Sequence, residues 1–160
     1  IRLKGLDTFV IAAEYIPNTE FAILGLSNKD MEILKALNPP KNVKLFGRLS
    51  QEELIRWYQK AKVYCQLSYR ESFGMALAEA MSCECVPVVA NRGALPEVVG
   101  DTGLYVPYKD PEATAEAIRE ALNSADDLGK KAGVRIRDMF SIERRENSLI
   151  EIIGSLLIKS

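Results

Sequence analysis

Short apolar segments alternate along this chain with amphipathic segments of about 10 to 13 residues, the pattern of strands joined by helices. The apolar segments lie at 20–25, 42–47, 62–68, 86–90 and 103–107. The helical patterns lie at 4–15, 28–37, 50–61, 73–82, 94–100, 111–124, about 126–139 and 141–158. Helices of this length join neighbouring strands as right-handed crossovers in a parallel sheet. The sequence therefore predicts an α/β fold, a Rossmann-like parallel sheet flanked by helices.

Local signals mark where several helices begin and end. Ser50 with Glu53 three residues later is a capping box, in which each side chain bonds the other residue's backbone amide. Pro111 suits the first turn of a helix. Pro39-Pro40 ends the helical pattern at 28–37.

Composition limits the classes of ligand. The 160 residues are enough for one domain, and 21 basic against 22 acidic residues leave a net charge of -1. A net charge this small creates no overall electrostatic attraction for nucleic acid or an anionic membrane. No run of apolar residues reaches the 18 residues of a membrane span. The chain has three cysteines, Cys65, Cys83 and Cys85, and no histidine, which argues against a four-ligand zinc site. The cysteines are instead expected to pack as small apolar side chains, and their odd number favours a reducing compartment.

Ligands of parallel sheets bind beyond the carboxyl ends of the strands. The loops at 25–28, 47–50, 68–73, 90–96 and 107–110 are therefore expected to share one face. We expect the chemistry of the protein on that face.

The segment 68–79, SYRESFGMALAE, passes from a strand end through a charged loop into a helix. Open backbone amides at the helix start can bind an anion, and Gly74 allows close approach to the backbone. Glu79 stands among apolar neighbours, where a carboxylate is costly unless its oxygens find donors. Ribose hydroxyls could donate hydrogen bonds to this carboxylate. A nearby basic side chain, or water on one exposed face of the helix, could satisfy it equally well. Glu71 is either a solvated loop charge or a ligand contact.

The stretch from Glu71 to Pro107, ESFGMALAEAMSCECVPVVANRGALPEVVGDTGLYVP, resembles the donor-site signature of the retaining glycosyltransferase family 4, also called glycosyltransferase group 1. Its two glutamates, eight residues apart, match Glu71 and Glu79. Further similarity lies at Lys4-Gly5, 22–25, 43–54 and 61–68. The resemblance implies one half of a GT-B fold, with residues 1–160 as its C-terminal nucleotide-sugar-binding domain and a helical tail from about 126.

The same resemblance implies roles for individual residues. Glu71 would be the catalytic residue that orients the donor sugar, and Glu79 would bind the ribose. Lys4 would neutralise the diphosphate. The remaining donor contacts would come from Ser72, Phe73, Gly74 and Met75, with Gly47, Arg48 and Leu49 as the loop where the base docks. No metal and no cofactor are expected, since no D-x-D motif lies on the ligand face and the nucleotide-diphosphate sugar is a substrate.

The chain also departs from the family pattern. It has no histidine, although the family's catalytic histidine usually lies in the N-terminal domain, and the arginine expected before Lys4 is absent. Leu67 replaces a usual proline, and Glu84 and Ala94 stand where glycines are common. We therefore expect this chain alone to bind a nucleotide sugar and transfer nothing.

The family's first, central strand precedes the lysine-glycine pair, and because only three residues precede Lys4 here, we expect that strand to be missing from this sequence. Unpaired strand ladders would then face a gap, so we expect upstream residues or a second chain to fill it, unless the sequence is an incomplete copy. The expected partners are the sugar donor and this missing N-terminal domain or strand. The expected location is cytoplasmic, with peripheral membrane contact through the missing domain as an alternative.

Other functions stay open at this stage. An epimerase of the same fold would share the diphosphate site, and a non-catalytic α/β binding module would need no chemistry. A dinucleotide-binding module would require G-x-G-x-x-G after the first strand, which LGLSNKD does not supply.

Overall fold

The computed structural model describes residues 4–157, in which strands and helices alternate as predicted. The strands are β1 (Phe21–Ile23), β2 (Val43–Leu45), β3 (Val63–Gln66), β4 (Val86–Ala90) and β5 (Leu104–Val106). The helices are α1 (Leu6–Glu14), α2 (Asn28–Ala36), α3 (Gln51–Lys60), α4 (Met75–Ser82), α5 (Leu95–Val99), α6 (Pro111–Asn123), α7 (Ala125–Phe140) and α8 (Ile142–Leu157).

The helix starts follow their local signals. Ser50 accepts a hydrogen bond from the Glu53 amide while the Glu53 carboxylate accepts one from the Ser50 amide, so the predicted capping box is confirmed. Asp110 caps α6 through the Ala113 amide, with Pro111 in the first turn. Helix α4 differs, because it begins at Gly74 in the left-handed conformation and no side chain caps it.

The strands form two parallel sheets. One contains β1 and β2, and the other has the order β3-β4-β5. Strand β1 is paired on one side only, and so is β3 among the described residues. Residues of both strands line one cavity of about 840 Å³. This is the interrupted sheet that the sequence predicts; that a further strand fills the interval stays a prediction.

Strand β4 separates two apolar cores. All five of its residues are buried, and their side chains alternate between the two sides of the sheet. Val86 and Val88 belong to the core shared with α1 and α6, whereas Val89 belongs to the core shared with α4, α5 and α7. Helices therefore cover both sides of the sheet, as parallel sheets require.

Helix α7 packs closely against the end of α4 because it carries glycine there. A Cβ at Gly129 would lie 2.1 Å from the carbonyl oxygen of Glu84. Glu84 itself has a φ of 64°, in the left-handed region that favours glycine. Arg135 of α7 donates to the carbonyl oxygens of Glu97 and Val98, at 2.7 and 2.8 Å, and so caps the end of α5.

Helix α8 carries several exposed apolar side chains, among them Ile142, Ile150 and Ile153. Over residues 4–157, no helix is both long and apolar enough to cross a membrane.

Candidate functional site

Lys4 and Glu71, which are 67 residues apart in sequence, form an ion pair on the predicted ligand face. The Lys4 Nζ lies 2.6 Å from the Glu71 Oε1. Lys4 lies two residues before the start of α1, and Glu71 lies in the loop after β3. The lysine side chain is 59% exposed and the glutamate 14%, so the cation faces solvent above a largely covered carboxylate.

A line of polar side chains along β3 fixes the Glu71 carboxylate. Gln66 Nε2 donates to Glu71 Oε1 at 2.8 Å and to Ser68 Oγ at 2.9 Å, while the Tyr64 hydroxyl donates to Gln66 Oε1 at 2.8 Å. Tyr64, Gln66 and Ser68 lie two residues apart, so the strand pleat places them on one side of the sheet. The position of Glu71 is therefore set by the strand and not by the loop alone.

The same contacts keep Glu71 ionised. Burial by itself would raise the pKa of this carboxyl group, but hydrogen bonds from Lys4, Ser68 and Gln66 and the charge of Lys4 outweigh burial. The pKa of Glu71 is therefore below its usual value, and at neutral pH the group is a carboxylate that accepts hydrogen bonds.

A second loop holds the backbone of Glu71. The Ala94 amide donates to the Glu71 carbonyl oxygen at 3.3 Å. Gly93 has a φ of 59°, and a Cβ there would lie 2.9 Å from that oxygen. Glycine is thus required at position 93 both for its backbone conformation and for this close approach.

The start of α4 offers unbonded amides beside Glu71. The amides of the first turn have no acceptor within the helix, and Gly74, with a φ of 92°, provides no side chain to cap them. Met75 is 66% exposed, so the turn is accessible to a ligand. A group with negative charge would be stabilised there by the amides and the helix dipole.

Glu79 lies in the second turn of α4, partly buried and close to α3. Its charge and a hydrogen bond to it contribute, after burial, to raising the pKa of Tyr58 to about 12. Within residues 4–157 no lysine or arginine forms an ion pair with Glu79. Among these residues, the polar side chains that interact with Glu79 therefore include the Tyr58 hydroxyl and no basic ion-pair partner.

The cavity between the sheets continues from the strand edges to the ligand face. At the ligand face it is lined by Lys4, Gly25, Arg48 and Leu49. Gly47 accepts a hydrogen bond from the Gly25 amide at 3.0 Å, which joins the loops after β1 and β2. The predicted base loop and Lys4 thus border one space.

Not every predicted contact residue borders this cavity. Ser72 and Met75 are exposed outside its lining. Phe73 packs edge-on against Phe140, with ring centroids 5.4 Å apart, in the core beneath α4. The ring of Phe73 is therefore partly covered by this packing.

The cysteines behave as packing residues. Cys85 is buried and its thiol donates to the carbonyl oxygen of Tyr58 at 3.1 Å. Burial raises the pKa of Cys65 and of Cys85 to about 12, so neither is a thiolate at neutral pH. In the part of the chain that the structure describes, no three His, Cys, Asp or Glu residues are grouped so that they could hold a metal ion.

Comparison with known proteins agrees with the site's motifs. The family model described as glycosyl transferases group 1 matches residues 1–137. The chain belongs to this family. Among group 1 relatives, D-inositol 3-phosphate glycosyltransferase of Mycobacteroides abscessus is 31% identical over 162 residues, covering 95% of this chain and 37% of that protein. O-antigen chain mannosyltransferase B of Escherichia coli is 33% identical over 103 residues, 63% of this chain and 27% of that protein.

Solved structures show the same fold. The sucrose-phosphate synthase from Thermosynechococcus elongatus superimposes with a TM-score of 0.84 and 27% identity over 100% of this chain and 44% of that chain. A glycosyltransferase from Rickettsia africae gives 0.82, at 21% identity, over 99% and 46%. The predicted α/β fold, one half of a GT-B enzyme, is therefore confirmed. This group 1 chain spans less than half the length of these relatives.

Sequence reasoning did not find Gln66. Its polar side chain at alternate positions with Tyr64 and Ser68 in an otherwise apolar strand was a usable signal, since such a row faces one side of the sheet. The roles assigned to the donor-site residues stay predictions.

Proposed function

We propose that this chain binds a nucleoside-diphosphate sugar and that the whole enzyme transfers the sugar to an acceptor with retention of anomeric configuration. The observation that carries the proposal is the Lys4–Glu71 ion pair, set beside the uncapped start of α4. It combines a cation, a fixed carboxylate and open amides, the groups that a sugar diphosphate would need.

Each group has a part in the proposed reaction. The anomeric carbon exchanges its bond to a diphosphate oxygen for a bond to an acceptor hydroxyl oxygen, and the hydroxyl proton is released with the leaving diphosphate. The negative charge that grows on the leaving diphosphate is stabilised by Lys4 and by the first-turn amides of α4, which are already in place. Glu71, held by Gln66, accepts hydrogen bonds from the sugar hydroxyls and orients the ring. No metal ion is part of this proposal.

The nucleoside would occupy the ligand-face end of the cavity. Arg48 and Leu49 border that end, and the apolar side chains of Leu54 and Trp57 line it further in. Glu79 would accept hydrogen bonds from the ribose hydroxyls in addition to its contact with Tyr58. A partly buried carboxylate without a basic partner is costly, and two hydroxyl donors would lower that cost.

We further propose that an extended segment of the same polypeptide, leading into Lys4, lies between β1 and β3. Among residues 4–157, each of these strands has one unpaired edge on the cavity, and Phe9, Tyr58 and Ile118 give the cavity apolar walls. With a rise of ~3.3 Å, a strand spacing of ~4.8 Å and a layer spacing of ~10 Å, an extended residue takes about 160 Å³. About five such residues would fill the whole cavity of about 840 Å³, so the proposed segment is shorter than this and leaves the ligand-face end to the nucleoside.

The direction of this segment follows from the helix that comes next. A strand that precedes Lys4 and is followed by α1 and then β1 makes a right-handed crossover between adjacent parallel strands. The longer relatives also leave room for such a segment, since the chain covers 37% of the Mycobacteroides abscessus protein. A second chain in the same place is the competing occupant, and it would make stability depend on protein concentration.

Binding can be tested with a thermal-shift panel of nucleotide sugars on the 160-residue chain. A ligand at 100 times its Kd adds about 2.7 kcal/mol, which corresponds to a rise in Tm of about 5–11 °C for a domain of this size. Lys4→Ala and Glu79→Ala should remove most of that rise. Lys131→Ala is a matched control for Lys4, because Lys131 is also 59% exposed and paired with one carboxylate, at 2.7 Å.

Two results would count against the proposal. The first is the absence of a shift with uridine, guanosine and adenosine diphosphate sugars alike. The second is a Glu79→Ala variant that keeps the full shift, since a plain interaction module would not need this carboxylate. The 160-residue chain on its own is expected to release no transferred sugar, which a radiolabelled-donor assay with and without acceptors measures.

A further inference from the structure

The Lys4–Glu71 ion pair joins two groups that the proposed donor needs separately. The Lys4 Nζ lies 2.6 Å from the Glu71 Oε1, whereas in the proposed complex Lys4 binds the diphosphate and Glu71 binds the sugar hydroxyls. The Lys4 side chain is 59% exposed, and an exposed ion pair holds a long side chain only weakly, so Lys4 can turn toward an anion. A second group must then keep the Glu71 carboxylate in place.

Gln66 contacts the same carboxylate oxygen as Lys4, and it does so from β3. Its Nε2 donates to the Glu71 Oε1 at 2.8 Å and to the Ser68 Oγ at 2.9 Å, which uses both N–H donors of the amide. Ser68 is fully buried, so the amide is anchored on its covered side. The bond from Gln66 to Glu71 therefore does not depend on where Lys4 points.

Tyr64 determines which end of the Gln66 amide faces Glu71. The Tyr64 hydroxyl donates to the Gln66 Oε1 at 2.8 Å, and this leaves the Nε2 end for the carboxylate. A hydrogen bond to the amide oxygen also polarises the amide and strengthens its N–H donors. Burial above all raises the pKa of Tyr64, and the charges of Glu71 and Glu79 are among the further causes. Tyr64 is therefore a neutral donor at physiological pH.

The ring of Tyr58 supports Tyr64 from the side of α4. The two rings meet edge to face, with centroids 5.9 Å apart at 76°. Tyr58 is only 6% exposed, and a hydrogen bond links it to Glu79. One packed row of side chains thus connects the second glutamate of the donor-site motif with the first.

We propose that Gln66 and Tyr64 are positioning residues that hold the Glu71 carboxylate in place when Lys4 turns to the diphosphate. They thereby make the site prefer a nucleotide sugar to a nucleoside diphosphate without a sugar. This rests on the proposed function, because it assigns the sugar to Glu71 and the diphosphate to Lys4. Both residues act through Glu71.

The test is isothermal titration calorimetry of the 160-residue chain with the diphosphates of uridine, guanosine and adenosine and with their glucose conjugates. Gln66→Met keeps the length of the side chain and removes the amide. It should weaken binding of the glucose conjugate by about tenfold, the effect of one lost hydrogen bond to a charged group, and leave the affinity for the diphosphate unchanged. Tyr64→Phe should act in the same direction with a smaller effect, because the amide keeps its bond to Glu71.

The pKa of Glu71 is a second readout that needs no ligand, and NMR of its carboxyl carbon measures it. Gln66→Met should raise this pKa, because the ionised form loses a donor. Lys4→Ala imitates a lysine that has moved away, and adding Gln66→Met to it should raise the pKa of Glu71 further.

Two matched controls make the same chemical changes away from Glu71. Gln59→Met removes an exposed amide on α3. Tyr105→Phe removes a hydroxyl on β5 that donates to the Gly100 carbonyl oxygen. Both variants should keep the wild-type pKa of Glu71 and both wild-type affinities.

Three outcomes would overturn the inference. One is wild-type affinity of Gln66→Met for the glucose conjugate. Another is an equal loss of affinity for the diphosphate and for its conjugate, because that pattern indicates general damage to the site. The third is a pKa of Glu71 that Gln66→Met leaves unchanged in the Lys4→Ala background, since the amide would then not hold the carboxylate.

The same titrations separate this inference from the proposed function. If glucose conjugates bind the wild type and Gln66→Met equally well, only the role of Gln66 fails. If the wild type binds no nucleotide sugar, the proposed function fails, and the pKa of Glu71 in Gln66→Met still decides whether the amide holds the carboxylate.

Discussion

The contact between α7 and the end of α4 leads to a sharp stability prediction for Gly129→Ala. The new Cβ would lie 2.1 Å from the Glu84 carbonyl oxygen, and contacts under 3.0 Å are essentially never seen for a real Cβ. The obstacle is backbone, which cannot rotate away as a side chain would. Helix α7 must therefore move outward by about an ångström or distort.

Two opposing effects set the size of the change. Alanine is favoured over glycine by about 1 kcal/mol in a helix interior. Overpacking a close contact costs about 1–3 kcal/mol. Gly154→Ala in α8 is the matched control, because it makes the same exchange in a helix where a Cβ meets nothing within 4 Å. The helix-propensity gain is common to both variants, so their difference measures the steric cost alone.

The expected result is that Gly129→Ala is less stable than Gly154→Ala by about 1–3 kcal/mol. At about 2–4 °C per kcal/mol for a domain of this size, the two melting temperatures should differ by several degrees. Urea titration and thermal melting, both followed by circular dichroism at 222 nm, measure the difference. Equal stability of the two variants would refute the reasoning, since it would mean that α7 does not lie against Glu84.

Three further predictions address the loops, the ion pair and the strand edges. Asn42→Ala should cost about 1–3 kcal/mol in a urea titration, because the Asn42 amide donates to the carbonyl oxygens of Ala13, Ile16 and Thr19 at 2.9–3.0 Å and these would lose their donor; an unchanged midpoint would contradict it. The pKa of Glu71 is lowered on folding, so its ionised form stabilises the protein above the unfolded pKa of about 4.5, and this contribution disappears as the pH falls through the folded value. The Tm of the wild type should therefore exceed that of Glu71→Gln at pH 7, and the difference in Tm should shrink as the pH falls to 3. A difference in Tm that grows in acid would contradict this prediction. Six apolar β-branched residues fused ahead of residue 1 should raise the Tm, whereas the same segment with a central proline, which cannot donate to a ladder, should not; equal effects would argue against a strand between β1 and β3.

The sequence predicted the order of elements and the position of the site because these depend on short-range patterns. Ser50 with Glu53 marks a helix start by side-chain chemistry that needs no tertiary contact. The placement of Glu71 on the ligand face followed from the rule that parallel strands end together, whereas Lys4 was assigned to the site only by the family resemblance. The strand-end rule required only the chain direction and the hydrophobic period.

Contacts between distant segments could not be predicted in the same way. Tyr69, Arg92 and Tyr108 are each unremarkable in sequence, and only the register of β3, β4 and β5 brings them together. The neighbour of Glu79 is Tyr58 because α3 packs against α4, and a helix-face argument does not specify the partner helix. Side-chain partners across elements depend on packing geometry, which the one-dimensional pattern leaves open.

Lys4 lies where two proposed binding events meet, so it can couple them thermodynamically. Its ammonium borders the space between β1 and β3, and it also bonds Glu71. A strand that orders Lys4 would also place its ammonium group for a diphosphate. A diphosphate that binds Lys4 would in turn favour the ordered strand, by the same coupling free energy. If the proposed strand and the proposed donor site are both correct, completion of the sheet and capture of the donor would be linked equilibria, and each could be measured through the other.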